Sequence, residues 1–398
     1  MGETPLFHTR LTHTLKVAQL GRRMADHLKR DPTNSSLIHD IGGLEPSAAE
    51  AAGLAHDLGH PPFGHIGEAI LDRCCRKYGL DGYEGNAQTF RIISKLARRG
   101  EPDRYGLDLD KRTLRATIKY PWLREGAHKD SKKWNAYPTE REDFNRARDG
   151  YSGEGQSVEA AIMDWADDIT YAVHDTEDFF RAGRIPLARL IEDPVEMATF
   201  TASATQRLSA KPNFDPVEAS AGFTEILRLT FTNARHYRGT ESNLLAVQRA
   251  SRVLINRYVS AIRLQRGSQP LGIPIGIRHE VEMFKQLTWH YVINDPALAT
   301  SQQGQRRIIE SLFSTLMEWV EREEANGGAT YKLPTRLRDL YALAQHEQGN
   351  ECYSDSEAKR ARAIADYISS LTENQAVDLH ERLTGTAQHS ILDPWMAY

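Results

Sequence analysis

An all-α fold is what this 398-residue sequence predicts. Three observations carry that expectation. Apolar residues recur at helical steps in long runs, Gly and Pro clusters cut the runs into helix-sized pieces, and only Gly267–Ile277, with GIPIGI, reads as extended.

Taken in order, Thr9–Leu28 reads as the first helix, with Val17, Leu20, Met24 and Leu28 forming its apolar stripe. His13 continues that stripe four residues earlier, so it faces inward, away from Lys16, Arg22 and Arg23, which read as exposed. Asp31-Pro32-Thr33-Asn34 ends the helix with turn residues, and Gly42-Gly43 and Pro46-Ser47 open a second helix rich in Ala and Gly. Ile66–Tyr78 and Asn86–Arg98 read as amphipathic helices, and Glu101–Tyr120 is mixed. Arg124–Gly155 is polar, charged and Gly-containing, and reads as a long mobile loop of the kind that serves as a lid or binding segment. Val158–Arg181 is a strong helix, and its Asp167, Tyr171 and Asp175 share one face at four-residue steps. Further helices are expected at Phe223–Tyr237, Ser242–Gln265, Val281–Ile293, Gln305–Glu323 and Glu357–Leu371.

Composition narrows the function. Hydrophobic content of 40% with 26% charged residues is ordinary for a soluble globular protein. A formal net charge of −4 gives no global nucleic-acid footprint, so an anionic ligand must be met by a local patch. Cys74, Cys75 and Cys352 form neither a disulfide framework nor a zinc spacing, and reduced thiols are expected. No apolar run is long enough to span a bilayer, and Met1–Leu6 lacks the pattern of a signal peptide or a myristoylation site. A cytoplasmic protein is expected.

The chemistry gathers in Ala51–Glu68, AAGLAHDLGHPPFGHIGE, where three histidines, an aspartate and a glutamate follow a small-residue helix. Buried polar groups must be satisfied or used. His13, His56, Asp57 and a carboxylate from Asp167 or Asp168 offer imidazole and carboxylate ligands without thiolate. Such a set suits manganese, magnesium, iron, cobalt or zinc. On its own, His13 reads more simply as a hydrogen-bonded core histidine. His39-Asp40 and His174-Asp175 repeat the dipeptide without its setting, and His39 is expected to be solvated in a loop.

Several stretches together resemble a known family. They are RLTH at Arg10–His13, HDLGHPPFGHIGE at His56–Glu68, EGNAQTFR at Glu84–Arg91, KYPW at Lys119–Trp122, ADDITYAVHD at Ala166–Asp175 and DYISSLT at Asp366–Thr372. The chain is similar in these to the HD-domain deoxynucleoside triphosphate triphosphohydrolases, the dGTPase group. The resemblance implies an HD-domain helical fold with additional C-terminal helices. Residues 1–185 would form the metal-dependent core, with 186–398 packed on it as one globular unit. It also implies a divalent metal, Mn2+ or Mg2+ foremost, on His13, His56, Asp57 and Asp167. His65 and Glu68 match the catalytic pair. Arg10, Asn86, Lys119, Tyr120 and Lys133 (from the pair Lys132-Lys133) match positions that approach the triphosphate, and Tyr171 and Asp175 those that read the sugar 3′-hydroxyl.

The implied reaction converts a deoxynucleoside triphosphate and water to deoxynucleoside and tripolyphosphate. Family members usually carry more chain before RLTH than the nine residues here, so weaker sugar discrimination is an expectation. Two other readings are open. One is an HD phosphohydrolase acting on a different nucleotide, and the other a nucleotide- or single-stranded-DNA-binding regulator with weak catalysis. Family members assemble into oligomers, often hexamers, and some respond to nucleotide or single-stranded DNA at separate sites. Arg306-Arg307, Arg360 and Arg362 are anion contacts to consider, although a solvated helix face explains them more simply.

Overall fold

A computed structural model of the chain describes residues 9–98, 106–151, 155–326, 332–347 and 355–386. Cys352 and the stretch Met1–Leu6 lie outside the described residues. The fold is all-α. Among the described residues the one sheet is an antiparallel ribbon that pairs Arg263 with Gly272 and Leu264 with Leu271. The extended reading of Gly267–Ile277 thus holds only in part, because Ile275 already opens the next helix. No helix among the described residues is long and apolar enough to cross a membrane.

By its internal contacts the chain forms two compact units, Met1–Leu54 with Ser152–Ala299, and Ala55–Tyr151 with Thr300–Tyr398. In the first unit, Thr9 and Thr12 cap the Arg10–Arg30 helix reciprocally, each hydroxyl accepting the other's backbone N–H. The expected stripe of Val17, Leu20, Met24 and Leu28 is buried, and the helix packs along Val158–Arg181 with its Ile162, Trp165, Ile169 and Val173. Each such side chain contributes about 1.5–3 kcal/mol by leaving water. The Pro46–Ala55 helix approaches so closely that a Cβ on Gly53 would lie 2.6 Å from the Ala18 Cα, which accounts for its run of Ala and Gly.

The rest of this unit is capped by recurring chemistry. Asp193 and Asp215 cap the Pro194–Leu208 and Pro216–Phe231 helices, each followed by Pro at the first helical position. Phe200, Phe223 and Phe284 then meet in the core, with ring centroids 5.2 and 5.1 Å apart. His39 and Asp40 end a short helix, Ser35–Asp40, instead of standing in a loop. His39 is exposed, as expected, and Asp40 pairs with Arg266.

The second unit is organised around a buried ion cluster. Arg91, with no exposure, donates to both Asp366 oxygens at 2.8–3.1 Å, to Glu140 at 2.7 Å and to Glu347 at 2.7 Å. Lys95 joins Glu140 at 2.9 Å, and Gln88 donates to Asp366 at 2.8 Å. Two sequence stretches thereby acquire a structural reason: the end of EGNAQTFR is held by the start of DYISSLT. The unit's hydrophobic core includes Leu71, Leu312, Phe313, Leu316, Leu337, Ile364 and Ile368.

Two expectations are corrected here. The described part of the expected loop, 124–151, contains the Arg141–Arg148 helix, and Trp134, Ala136 and Tyr137 are buried. Its polar composition hid an aromatic anchor: Arg124 stacks on the Trp134 ring at 4.7 Å, and Arg362 on Tyr137 at 3.8 Å. Arg362 also donates to the Gly82 carbonyl at 3.3 Å, while buried Arg360 pairs with Glu324. Neither arginine is on a solvated face, and both serve packing.

Candidate functional site

The first unit holds some of the residues expected to be functional. His13, one turn into its helix, places Nε2 3.1 Å from Asp167 Oδ1 on the Val158–Arg181 helix. Asp168 turns elsewhere and accepts a 2.7 Å bond from Lys285. Adjacent carboxylates therefore have separate partners, and only Asp167 meets the histidine. Tyr171 and Asp175 continue the Asp167 face. Burial pushes the Asp175 carboxyl up to about 7, against the opposing pull of His13 and Lys16 and with the help of Asp167. Burial also lifts the Tyr171 phenol to about 12. Arg10 is the exposed first residue of its helix.

Lys16 was missed. It is half-buried, its Nζ lies 3.2 Å from His174 Nδ1, and burial holds its amine below the ordinary lysine range despite Glu177 and Asp175. Three residues after His13, Lys16 shares that residue's helix face, so the expectation that the two face apart was wrong for it.

The second unit holds others. His56 is buried with Nε2 3.5 Å from Asp57 Oδ1, and His60 Nδ1 stands 3.0 Å from the same oxygen. Their turn rests on the Gly85–Arg91 helix. Gly59 N donates to Thr89 Oγ1 at 2.9 Å, and that hydroxyl donates to the His56 carbonyl at 3.2 Å. Tyr83 donates to the Gly59 carbonyl at 2.7 Å. A Cβ on Gly59 would fall 2.2 Å from both Gly85 O and Thr89 N, so no other residue fits there.

His65 opens the His65–Lys77 helix after Gly64, a residue with φ +57°. Its side chain is 80% exposed, and its Nδ1 meets Glu68 Oε2 at 2.8 Å, while the Glu68 side chain is 11% exposed. An exposed imidazole held through Nδ1 by a buried carboxylate presents Nε2 for proton transfer. The other Glu68 oxygen accepts from Lys133 Nζ at 2.8 Å and from Gly85 N at 3.2 Å. Burial raises the Glu68 carboxyl, but His65 and Lys133 outweigh it and hold it well below the usual carboxylate range. Lys133 also reaches Glu84 Oε1 at 2.9 Å; these two carboxylates overcome its burial and lift its amine above the ordinary range.

His60, His65 and Glu68 group their ligand atoms within 4.8 Å, a spacing that a metal could use. The Lys133 ammonium already on Glu68 opposes a dication there, so the grouping fits proton handling better. His60 itself is held above the ordinary histidine range: burial lowers it, but Asp57, Glu68 and Glu84 prevail. Asn86 sits at the start of its helix, its side chain donating to Glu84 at 2.9 Å. The residues that follow Lys119 are tied to the Lys133 segment: Tyr120 N donates to Asn135 Oδ1 at 3.1 Å, and Trp122 Nε1 to the Lys133 carbonyl at 2.7 Å. Glu84 was not singled out as a site residue. Its acidic type directly before a helix start, the position of a cap, was the signal.

Comparison with known proteins gives the class first. Residues 10–172 match the HD domain and residues 271–382 the phosphohydrolase-associated domain, so the chain is an HD-type phosphohydrolase, a class whose members are typically metal-dependent. A deoxyguanosinetriphosphate triphosphohydrolase-like protein of Corynebacterium efficiens is 32% identical over 96% of this chain and 84% of its own length. One of Streptomyces coelicolor is 33% identical over 95% of this chain and 84% of its own. A third, from Mesorhizobium japonicum, is 27% identical over 98% and 89%. The chain belongs to this family of deoxyguanosinetriphosphate triphosphohydrolase-like HD proteins.

Proposed function

We propose that the protein hydrolyses deoxynucleoside triphosphates, dGTP foremost, to deoxynucleoside and tripolyphosphate. The observation that carries the reading is the His65–Glu68 pair, an exposed imidazole held at 2.8 Å by a buried, ionised carboxylate. His13, Asp167, His56 and Asp57 would hold one divalent ion. The donor chemistry fits it: two imidazoles and two carboxylates suit Mn2+ or Mg2+, with Fe, Co and Zn as further candidates. The 3.1 Å between His13 Nε2 and Asp167 Oδ1 also matches the roughly 3 Å between neighbouring ligand atoms on an ion with bonds of about 2.1 Å. When bound, such an ion supplies charge for a phosphate oxygen and orients water.

The chain's own residues do the rest. Arg10, Lys119 and Tyr120 neutralise and orient the phosphates, with Asn86 beside them. Tyr171 and Asp175 read the sugar hydroxyl. Water adds at the α-phosphorus, the bond from that phosphorus to the 5′-oxygen breaks, and His65 gives its Nε2 proton to the leaving oxygen. Glu68 holds the ring through Nδ1 throughout.

Ion-exchange chromatography of products from each deoxynucleoside triphosphate, with Mn2+ or Mg2+ added, tests the reading. Deoxynucleoside with tripolyphosphate supports it. Monophosphate with pyrophosphate would assign a different bond, and nucleotide binding without any product would overturn it in favour of a regulator. The oligomer and any nucleotide or single-stranded-DNA effector are parts of this proposal that light scattering with each ligand tests.

A further inference from the structure

We infer that Lys133 and Glu84 are positioning residues for the His65–Glu68 pair, acting through Glu68; this deepens, and rests on, the reading of His65 as proton donor. The argument begins with how Glu68 spends its oxygens. One holds His65 Nδ1 at 2.8 Å, and the other takes Lys133 Nζ at 2.8 Å and Gly85 N at 3.2 Å. Glu68 therefore cannot turn without breaking bonds on both sides.

Lys133 is itself immobilised. Its ammonium lies between Glu68 at 2.8 Å and Glu84 at 2.9 Å. Its carbonyl accepts from Trp122 Nε1 at 2.7 Å and from Ser131 Oγ at 2.6 Å. Glu84 is 1% exposed and fixed in turn: it caps the Gly85–Arg91 helix through Asn86 N at 2.6 Å and Ala87 N at 3.0 Å. A chain of short bonds thus runs from a helix start to the reacting imidazole.

Charge explains the role of Lys133. Its ammonium serves two carboxylates, so Glu68 stays ionised although it is buried. What the arrangement does well is keep Glu68 ionised and in one orientation, so that His65 keeps its Nδ1 bond and its direction.

Steady-state kinetics of the full-length, metal-loaded enzyme on dGTP test this. Lys133→Met should lower kcat about 100-fold with KM within about twofold, and Glu84→Gln should lower kcat about tenfold. Lys133→Arg, which keeps the charge, should recover most of the loss. The double variant Lys133→Met with His65→Ala should be no slower than His65→Ala alone, because the lysine acts through that histidine. A raised KM with kcat retained in Lys133→Met would overturn the proposal and return the residue to the phosphates. So would losses that multiply in the double variant. If Lys133→Met does not fold by circular dichroism, Glu84→Gln carries the test by the same KM-against-kcat split. Full turnover by His65→Ala would instead overturn the proton-donor reading itself, which separates the two failures.

Discussion

Replacing Arg91 by methionine should loosen the second unit by several kcal/mol. Arg91 is wholly buried, and its guanidinium is shared by three carboxylates, Asp366, Glu140 and Glu347. Methionine fills much of the volume but leaves those carboxylates to Lys95, which reaches only Glu140 and Glu347. Removing one partner of a buried pair costs about 3–5 kcal/mol, because the remaining charge stays out of water. Each 1.4 kcal/mol is about tenfold, so protection from hydrogen exchange should fall by roughly two to three and a half orders of magnitude. Peptides spanning the Gly85–Arg91 and Ser356–Ser369 helices are the ones to follow by mass spectrometry, since Arg91 joins them through Asp366. The sign with pH follows from Glu347. Burial raises its carboxyl, but Arg91 and Lys95 outweigh burial and hold it below the usual range. That stabilisation is present above the unfolded value of about 4.3 and is lost as pH falls through the folded one. The deficit of Arg91→Met should therefore be full at pH 8 and shrink below about pH 5, where its stranded carboxylates take up protons. A loss under about 1 kcal/mol at pH 8, or a deficit that grows in acid, would refute this account of the cluster.

Other predictions follow from the site. His65→Ala should keep its metal, read by elemental analysis, while turnover drops about 10²–10⁴-fold; loss of the metal would make His65 a ligand. His56→Ala should lose both metal and turnover, whereas exposed His39→Ala should keep both; the reverse would mean that the wrong His-Asp pair has been chosen. Asp175 has its carboxyl raised to about 7 in the folded metal-free chain, against about 3.9 unfolded. The folded state then holds the extra proton, so stability should decline as pH rises from about 4 to about 7, by on the order of 2–4 kcal/mol. Asp175→Asn should remove that decline in urea unfolding of the metal-free protein, and an unchanged pH slope would count against it.

Much of the candidate site was legible where its chemistry is local in sequence. The stripe through Val17, Leu20 and Met24 set the facing of His13, and four-residue steps set the face shared by Asp167, Tyr171 and Asp175. The residues alone left Asp167 and Asp168 open; the resemblance implied Asp167, which is the one beside His13. What stayed hidden depends on distant partners. Arg362 looks like a surface charge until Tyr137, some two hundred residues earlier, is laid beneath it. Lys133 and Glu84 lie in stretches without hydrophobic period, and only the fold brings their charges to Glu68. Arg124–Gly155 reads as a loop because its few aromatics, Trp134 and Tyr137 among them, are scattered among charges, of which Arg124 stacks on Trp134. Nor does any change of composition mark where the chain passes from one compact unit to the other near Leu54 or Ser152.

The measurement that bears most directly on the central claim is hydrolysis of dGTP in 18O-labelled water, with the products resolved by 31P NMR and mass spectrometry. Attack at the α-phosphorus with proton donation to the 5′-oxygen predicts one 18O on a terminal phosphorus of tripolyphosphate and none in deoxyguanosine. Label in the deoxyguanosine hydroxyl, or label carried into dGMP or pyrophosphate, would contradict it.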